Sequence, residues 1–214
     1  MKAQRTLKRR TFLRNSGIWG VGALIPGTVL AVTPTTEHAS DSIHEFGKRE
    51  GYSGEISILI SMMDWMRSTI LRSVRGMSQK EMDFLLDDTS NSIGAMLLHL
   101  AATERYYQWD TFMGVPKKVL DFGLEEAEWD AASSLGNKGR QLLKGKPTDF
   151  YLDKLAEVRE FSKEHLKTLG DDWLYEGTRF FGNQRTNNYC KWFHVVEHES
   201  NHNGQIKYIR GRIA

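Results

Sequence analysis

Apolar residues recur at steps of three and four along four segments of the chain, a spacing that is typical of amphipathic helices. The segments span about residues 53–75, 93–113, 150–169 and 187–210, and a glycine follows each of the first three. The apolar positions of the first segment are Ile56, Leu59, Met63, Met66, Ile70 and Val74. Sustained strand alternation is absent after residue 50 of the sequence. The pattern therefore predicts four helices of about five to six turns each.

A long connection, about residues 114–147, separates the second predicted helix from the third, and its length argues against a tight hairpin. We expect a short helix near residues 130–143, and a solvated surface for the acidic residues between 125 and 130. The methionines at 62, 63 and 66 are expected in the core. Together these features predict an all-α fold, a four-helix bundle over residues 41–214 with the long connection between helices 2 and 3.

Composition fits a globular protein better than a disordered chain or a polytopic membrane protein, with 40% hydrophobic and 26% charged residues. The formal net charge of +2 is unevenly distributed. Residues 1–36 contain six basic residues and no acidic one, whereas residues 41–214 contain 23 Lys and Arg against 26 Asp and Glu, a net charge of −3. The bundle has no basic stripe, which argues against nucleic acid as a partner.

The first 40 residues are ordered like an export signal. A basic stretch that includes Arg9-Arg10-Thr-Phe-Leu precedes a weakly apolar, glycine-containing run over residues 17–32 and a polar segment. Adjacent arginines in this setting resemble a twin-arginine signal. They predict transport by the twin-arginine machinery to the periplasm or another extracytoplasmic site, with cleavage after Ala31 or near residues 39–41.

Two alternatives to a cleaved signal stay open. One is a basic tail followed by a short buried helix. The other is an uncleaved anchor, although the apolar run of roughly 16 residues is shorter than the ~20 that a membrane-spanning helix needs. We therefore expect no stable membrane span after processing. The sequence leaves open whether the domain forms a homodimer.

The last predicted helix contains a histidine every four residues, at His194, His198 and His202. Residues four apart on a helix have Cβ atoms about 5–6 Å apart on one face, so two such imidazoles can bind one metal ion. The pairs 194/198 and 198/202 are equal choices on spacing alone. A third ligand is available in His99, which interrupts the apolar stretch 95–102; the alternative is a hydrogen-bonded core histidine.

The sequence indicates the roles of other polar residues near these histidines less specifically than it indicates the metal ligands. Cys190, the only cysteine, lies one turn earlier on the same stripe; a small buried residue is its commoner role, and a reactive thiol the alternative. Glu197 and Glu199 flank the middle histidine and are expected to face a neighbouring helix or solvent. Glu104 and Tyr106, five and seven residues after the histidine of the second helix, are candidates for contact with ligands or substrate.

Two segments carry a family resemblance. Residues 194–206, which end in Gly204-Gln205-Ile206, together with residues 91–104, resemble the DinB-like superfamily, which includes the YfiT-like metal-dependent enzymes. The resemblance covers about residues 50–212. It implies a four-helix bundle with a long connection between its second and third helices, in agreement with the periodicity.

The resemblance also decides between the histidine pairs. It implies a metal triad formed by His99 on the second helix with His198 and His202 on the last, followed by the Gly-Gln-Ile sequence. His194 matches a histidine that commonly precedes the pair, and we expect it beside the ligands rather than among them. Asn203 departs from the basic residue of many relatives, which argues against inferring a substrate contact there.

Three imidazoles on a divalent ion leave positions for water or substrate, and zinc, nickel and iron all accept nitrogen ligands. Hydrolysis and metal-assisted thiol transfer are the natural reactions. Thiol transfer among relatives normally uses a cytoplasmic low-molecular-weight thiol, so the export signal favours an exported metal-dependent hydrolase of a small molecule. The alternatives are a metal-stabilised, non-catalytic binding or stress-associated protein, and a thiol-dependent transferase.

Overall fold

A computed structural model describes residues 42–180 and 182–213 of the protein. The predicted leader, residues 1–40, lies outside the described residues. The described part contains the four predicted long helices: α1 (Gly54–Val74), α3 (Ile93–Thr111), α6 (Thr148–Leu166) and α7 (Asn188–Arg210). Helix α3 packs against α6 and α7, and α1 packs against α7. This architecture confirms the predicted all-α four-helix fold. No helix in the described ranges has the length and apolar character needed to cross a membrane.

The first turn of α1 is capped by a side chain from a distant part of the chain. Ser53 occupies the N-cap position of α1, but its side chain does not cap. Instead, the Asp171 carboxylate accepts the backbone N–H groups of Glu55 at 2.9 Å and Ile56 at 3.2 Å. A remote carboxylate can satisfy the free N–H groups of a helix as well as a local side chain does.

The long connection contains more structure than the sequence predicted. It holds a 3₁₀ turn (Lys117–Leu120), α4 (Glu126–Ser134) and α5 (Gly136–Leu142), where one short helix near 130–143 was expected. Leu135, with a φ of 54°, separates the two helices because this left-handed conformation cannot continue an α-helix. Trp129 of α4 is fully buried and anchors the connection to the bundle.

Several short elements were not predicted, among them a 3₁₀ turn at Asp171–Tyr175. Helix α2 (Gln79–Met82) is a single turn after α1, and strands β1 (Gly177–Phe180) and β2 (Gln184–Asn187) form an antiparallel hairpin before α7. Each strand has four residues, too few for a recognisable alternation of apolar and polar positions. The hairpin places Phe180 beside the carboxyl-terminal histidines, with its ring centre 6.1 Å from that of His194.

The core contains the methionines that periodicity assigned to it. Met63 and Met66 of α1 are buried, and Met62 is half-buried against the same core. Gly94 marks the closest approach of α3 and α6, since a Cβ there would lie 2.6 Å from Cζ of Tyr151. Close packing of this kind fixes how far apart the helices are, and therefore where their polar side chains meet.

Four buried charged residues, one from each long helix, form an ion cluster at the centre of the bundle. Arg67 of α1 contacts Glu104 of α3 at 3.0 Å and Glu199 of α7 at 2.7 Å. Arg159 of α6 contacts the same two carboxylates, each at 2.8 Å. All four residues are at most 7% exposed. The cluster therefore ties the four helices together with charge-assisted hydrogen bonds.

The cluster also decides two sequence assignments. Glu199 faces the neighbouring helices, as predicted, while Glu197 is exposed. Glu104 accepts from two arginines and from Ser162 at 2.7 Å, so it supports the bundle rather than contacting a ligand. Burial alone would raise the pKa of Glu104, but Arg159 and Arg67 more than offset it, and the pKa lies below its ordinary value.

We predict that Glu104→Gln lowers the free energy of unfolding by about 3–5 kcal/mol, because it leaves two arginines with one carboxylate inside the bundle. Urea unfolding followed by circular dichroism measures the loss. Glu164→Gln is the control, since Glu164 pairs with Lys167 on the surface at 2.6 Å and its removal should cost about 0–1 kcal/mol. Equal losses for the two variants would contradict a structural role for the cluster.

Candidate metal centre

The three histidines of the predicted triad lie together at the junction of α3 and α7. The ring centre of His99 is 4.9 Å from that of His198 and 5.1 Å from that of His202, and the last two are 4.6 Å apart. One nitrogen from each ring lies within 4.8 Å of the other two. His198 and His202 are four residues apart on α7, and His99 on α3 precedes them by 99 and 103 residues. The structure therefore brings together three imidazoles from two distant parts of the chain.

A backbone contact orients His99. Its Nδ1 lies 2.7 Å from the carbonyl oxygen of Ala132 in α4. Since a carbonyl can only accept, Nδ1 carries the hydrogen and Nε2 presents its lone pair toward α7. Nε2 of His99 is 2.9 Å from Nε2 of His198. Such a carbonyl partner is a usual means of fixing a ligating histidine.

The environment of the His202 ring shows whether a metal ion fits among the three histidines. It is 7% exposed, and its Nδ1 is buried without a hydrogen-bond partner among the described residues. A buried ring nitrogen without a partner is costly unless something binds it. Two nitrogens that bind one zinc ion at about 2.0–2.1 Å lie roughly 3–3.5 Å apart, close to the observed Nε2–Nε2 separation. The three residues therefore fit a divalent ion that accepts nitrogen ligands.

A fourth histidine lies one turn before the triad. Nδ1 of His194 is 2.8 Å from the hydroxyl of Tyr107, and the His194 and His198 rings are 5.1 Å apart. The exposed Glu197 places a carboxylate oxygen 3.9 Å from Nε2 of His194. His194 thus lies beside the triad, in a second group of histidine and carboxylate side chains, formed with Glu197 and His198, that are close enough to share an ion.

One comparison bears on identity. The family model of mycothiol S-transferases matches residues 58–214, which include most of α1, the other three long helices and all four clustered histidines. The chain belongs to the mycothiol S-transferase family. This family is part of the DinB/YfiT-like clan, so the resemblance that the histidine segments indicated is confirmed at that level.

Within this mycothiol S-transferase family member, a tyrosine that the sequence did not single out, Tyr107, contacts His194. Tyr106, which the sequence offered as a contact residue, is 46% exposed and packs edge-on against Tyr107. Tyr107 instead is 2% exposed and contacts the histidine group. Tyr107 is eight residues after His99 on α3, close to the helical repeat, and that spacing is the signal that could have identified it.

Two further residues are placed away from the triad. Cys190 is exposed at the first turn of α7, so the expectation of a small buried residue was wrong. Asn203 faces α1, where its side chain accepts from Ser73 at 2.7 Å and donates to Thr69 at 3.0 Å. The side chain of Asn203 is therefore engaged in joining two helices, which agrees with the argument against a substrate contact at this position.

The surroundings keep the triad uncharged. Burial, followed by the proximity of the other histidines, lowers the pKa of His198 to about 3. Burial and His99 lower the pKa of His202 to about 4, with the contact to Gln205 acting in the opposite direction. Burial also lowers the pKa of His99 below its ordinary value. At neutral pH all three rings are therefore neutral, the form that binds metal ions.

These shifts predict a pH dependence of stability for the metal-free protein. Below the ordinary histidine pKa of 6.5, the unfolded chain takes up protons that the folded triad does not, so the free energy of unfolding should fall as the pH decreases from 7 to 5. Urea titrations in a chelator measure this slope. We expect a shallower slope for His198→Gln, and equal slopes for the variant and the wild type would contradict the burial of a neutral histidine.

Proposed function

We propose that the protein is a metal-dependent thiol S-transferase whose metal ligands are His99, His198 and His202. The observation that carries the proposal is the convergence of three neutral imidazoles, one with an unpartnered buried nitrogen, in a member of the mycothiol S-transferase family. Zinc, nickel and iron all suit the donor set. A small electrophilic molecule would be the second substrate.

The residues of this chain would prepare the site before any ligand arrives. The carbonyl of Ala132 holds His99 in one tautomer, and burial keeps the other two ligands neutral. A divalent ion held here would lower the pKa of a coordinated thiol and so supply a thiolate at neutral pH. In the overall reaction the thiol loses its proton, sulfur forms a bond to carbon, and the leaving group departs with the electron pair of the broken bond.

The family assignment favours thiol transfer over the hydrolysis that the export signal suggested. Hydrolysis rested on the predicted location of the protein, whereas transfer rests on residues 58–214 and their family. A metal-stabilised protein without turnover is the other alternative. Three protein ligands would leave a four-coordinate ion one open position for a substrate. This open position supports a reactive site rather than a purely structural one.

We predict that protein purified without added metal contains about one divalent ion per chain, which elemental analysis also identifies. The double variant His99→Ala, His198→Ala should lose this ion, because one histidine cannot hold it alone. His44→Ala, which removes an exposed histidine before α1, is the control and should keep the metal. Equal metal content in the double variant and the control would refute the site.

The same three proteins test the reaction. We expect the wild type and the control to form the thioether from mycothiol and 1-chloro-2,4-dinitrobenzene, with release of chloride, while the double variant falls to the uncatalysed rate. Mass spectrometry of the adduct measures this. Metal binding without adduct formation would contradict the transferase and support the non-catalytic alternative.

We propose separately that residues 1–40 direct export by the twin-arginine machinery and that residues 41–214 form the mature domain. The two proposals together require a thiol that reaches the protein outside the cytoplasm. The basic stretch with Arg9-Arg10, the weakly apolar run and the concentration of positive charge before residue 37 support this. We expect cell fractionation to find the processed protein outside the cytoplasm, and Arg9→Lys, Arg10→Lys to retain it inside. Wild-type protein that stays unprocessed in the cytoplasm would overturn the proposal.

A further inference from the structure

Glu197 and the three histidines of α7 form a series whose members become less exposed toward the triad. The side chain of Glu197 is 48% exposed and that of His194 is 27% exposed. His198 is half-buried, and His202 is buried. The ring centres of successive histidines on α7 are 5.1 and 4.6 Å apart. The series therefore leads in short steps from the surface of the protein to the triad.

His198 belongs to two groups of possible metal ligands. It forms the triad with His99 and His202, and it forms an outer group with His194 and Glu197. In each group, one nitrogen or oxygen atom of every member lies within 4.8 Å of those of the other members. An ion bound by the outer group would therefore already have one ligand of the triad.

Tyr107 orients the His194 ring. Its hydroxyl lies 2.8 Å from Nδ1 of His194. A tyrosine hydroxyl accepts as well as donates, so Nδ1 can carry the hydrogen and leave the lone pair on Nε2. Nε2 lies 3.9 Å from the Glu197 carboxylate, which is too far for a hydrogen bond between the two. Two ligands of one ion lie roughly 3–3.5 Å apart, a separation that rotation of the exposed carboxylate can reach.

Glu197 is the carboxylate of this region that is available to a cation. Glu199 is paired with two arginines inside the bundle, and Asp110, beside Tyr107, is paired with Lys191 at 2.5 Å. Within the part of the chain that the structure describes, Glu197 has no lysine or arginine partner. Three neutral imidazoles do not attract a hydrated cation from solution, whereas a nearby carboxylate raises the local concentration of cations and the rate at which they bind.

We propose that His194, Glu197 and His198 form an entry site that captures the divalent cation and passes it to the triad. The ion exchanges Glu197 and His194 for His99 and His202, while His198 stays bound to it. Two bonds to the ion break and two form, with no change in oxidation state. Release follows the same route in reverse. The inference rests on the metal triad of the proposed function and not on the transfer reaction.

The first test measures the rates of metal uptake and release. Cobalt(II), which accepts nitrogen ligands and absorbs visible light when they bind it, is mixed with the metal-free protein in a stopped-flow instrument. Release is followed after the loaded protein is mixed with excess EDTA. For Glu197→Gln and His194→Gln we expect both rate constants to fall by about tenfold with little change in Kd, because the outer group speeds passage without holding the ion at equilibrium.

The matched control for the charge is Glu160→Gln. It removes the same carboxylate charge from a position on α6 whose side chain is 66% exposed, beside the groove between α1 and α6. Glu160→Gln should keep the wild-type rates of uptake and release. Each variant should still bind one ion at equilibrium, which verifies that its triad is intact.

A second test measures binding to the outer group alone. The double variant His99→Ala, His202→Ala retains all three outer ligands, and we expect isothermal titration calorimetry to show that it binds cobalt(II) more weakly than the wild type does. Adding Glu197→Gln to this double variant should remove the remaining binding. Binding that is absent from the double variant, or that survives the added substitution, overturns the entry site.

The outcomes distinguish the entry site from the proposed function. Unchanged rates in Glu197→Gln and His194→Gln overturn the entry site even if the wild type holds one ion and forms the thioether. Slower uptake with unchanged release also overturns it, because that result shows attraction from a distance without binding on the route. Equal slowing of uptake and release, in a protein that forms no thioether, refutes the transferase while supporting the entry site. A wild type that takes up no cobalt(II) overturns both the triad and the entry site.

Discussion

The central ion cluster is the interaction on which the arrangement of this bundle depends. Two arginines and two glutamates, one from each long helix, are buried with contacts of 2.7–3.0 Å. Apolar packing tolerates small sliding of one helix past another, whereas buried charges lose several kcal/mol when a partner moves away. The cluster therefore restricts the register and rotation of all four helices at one level of the bundle.

This restriction extends to the histidines because the two groups share helices. Glu104 follows His99 by five residues on α3, and Glu199 is adjacent to His198 on α7. When the carboxylates point to the centre of the bundle, the imidazoles on the same two helices are directed toward each other at the junction of α3 and α7. The long connection then completes the site from outside, since α4 supplies the carbonyl that fixes the tautomer of His99.

The sequence was sufficient to predict the four long helices and the grouping of the three histidines. It was insufficient to predict the side chains and backbone groups that surround the histidines. Helical periodicity reports burial, so the limits of α1, α3, α6 and α7 followed from it. Periodicity does not indicate which side chain a backbone carbonyl such as that of Ala132 contacts. It also does not indicate which arginines are buried. Arg67 and Arg159 gave no signal for this reason, since an arginine on an amphipathic helix is usually solvated.

Contacts between distant segments account for the remaining differences. Tyr107 rather than Tyr106 contacts His194 because Tyr107 lies on the face of α3 that carries His99. The hairpin covers this face, and the Phe180 ring lies 5.6 Å from the Tyr107 ring. The hairpin could not be predicted, because each of its strands has only four residues. Leu135 likewise adopts a positive φ that no local signal required, and the helix break that it makes divides the connection into α4 and α5.

The ion cluster and the histidine triad differ in charge, and this difference bears on the chemistry of the triad. The ion cluster pairs Glu199 with Arg67 and Arg159, so its negative charge is balanced within the bundle. Three neutral imidazoles would leave the charge of a divalent ion uncompensated by its protein ligands. Such a centre favours an anionic ligand, and a thiolate is one.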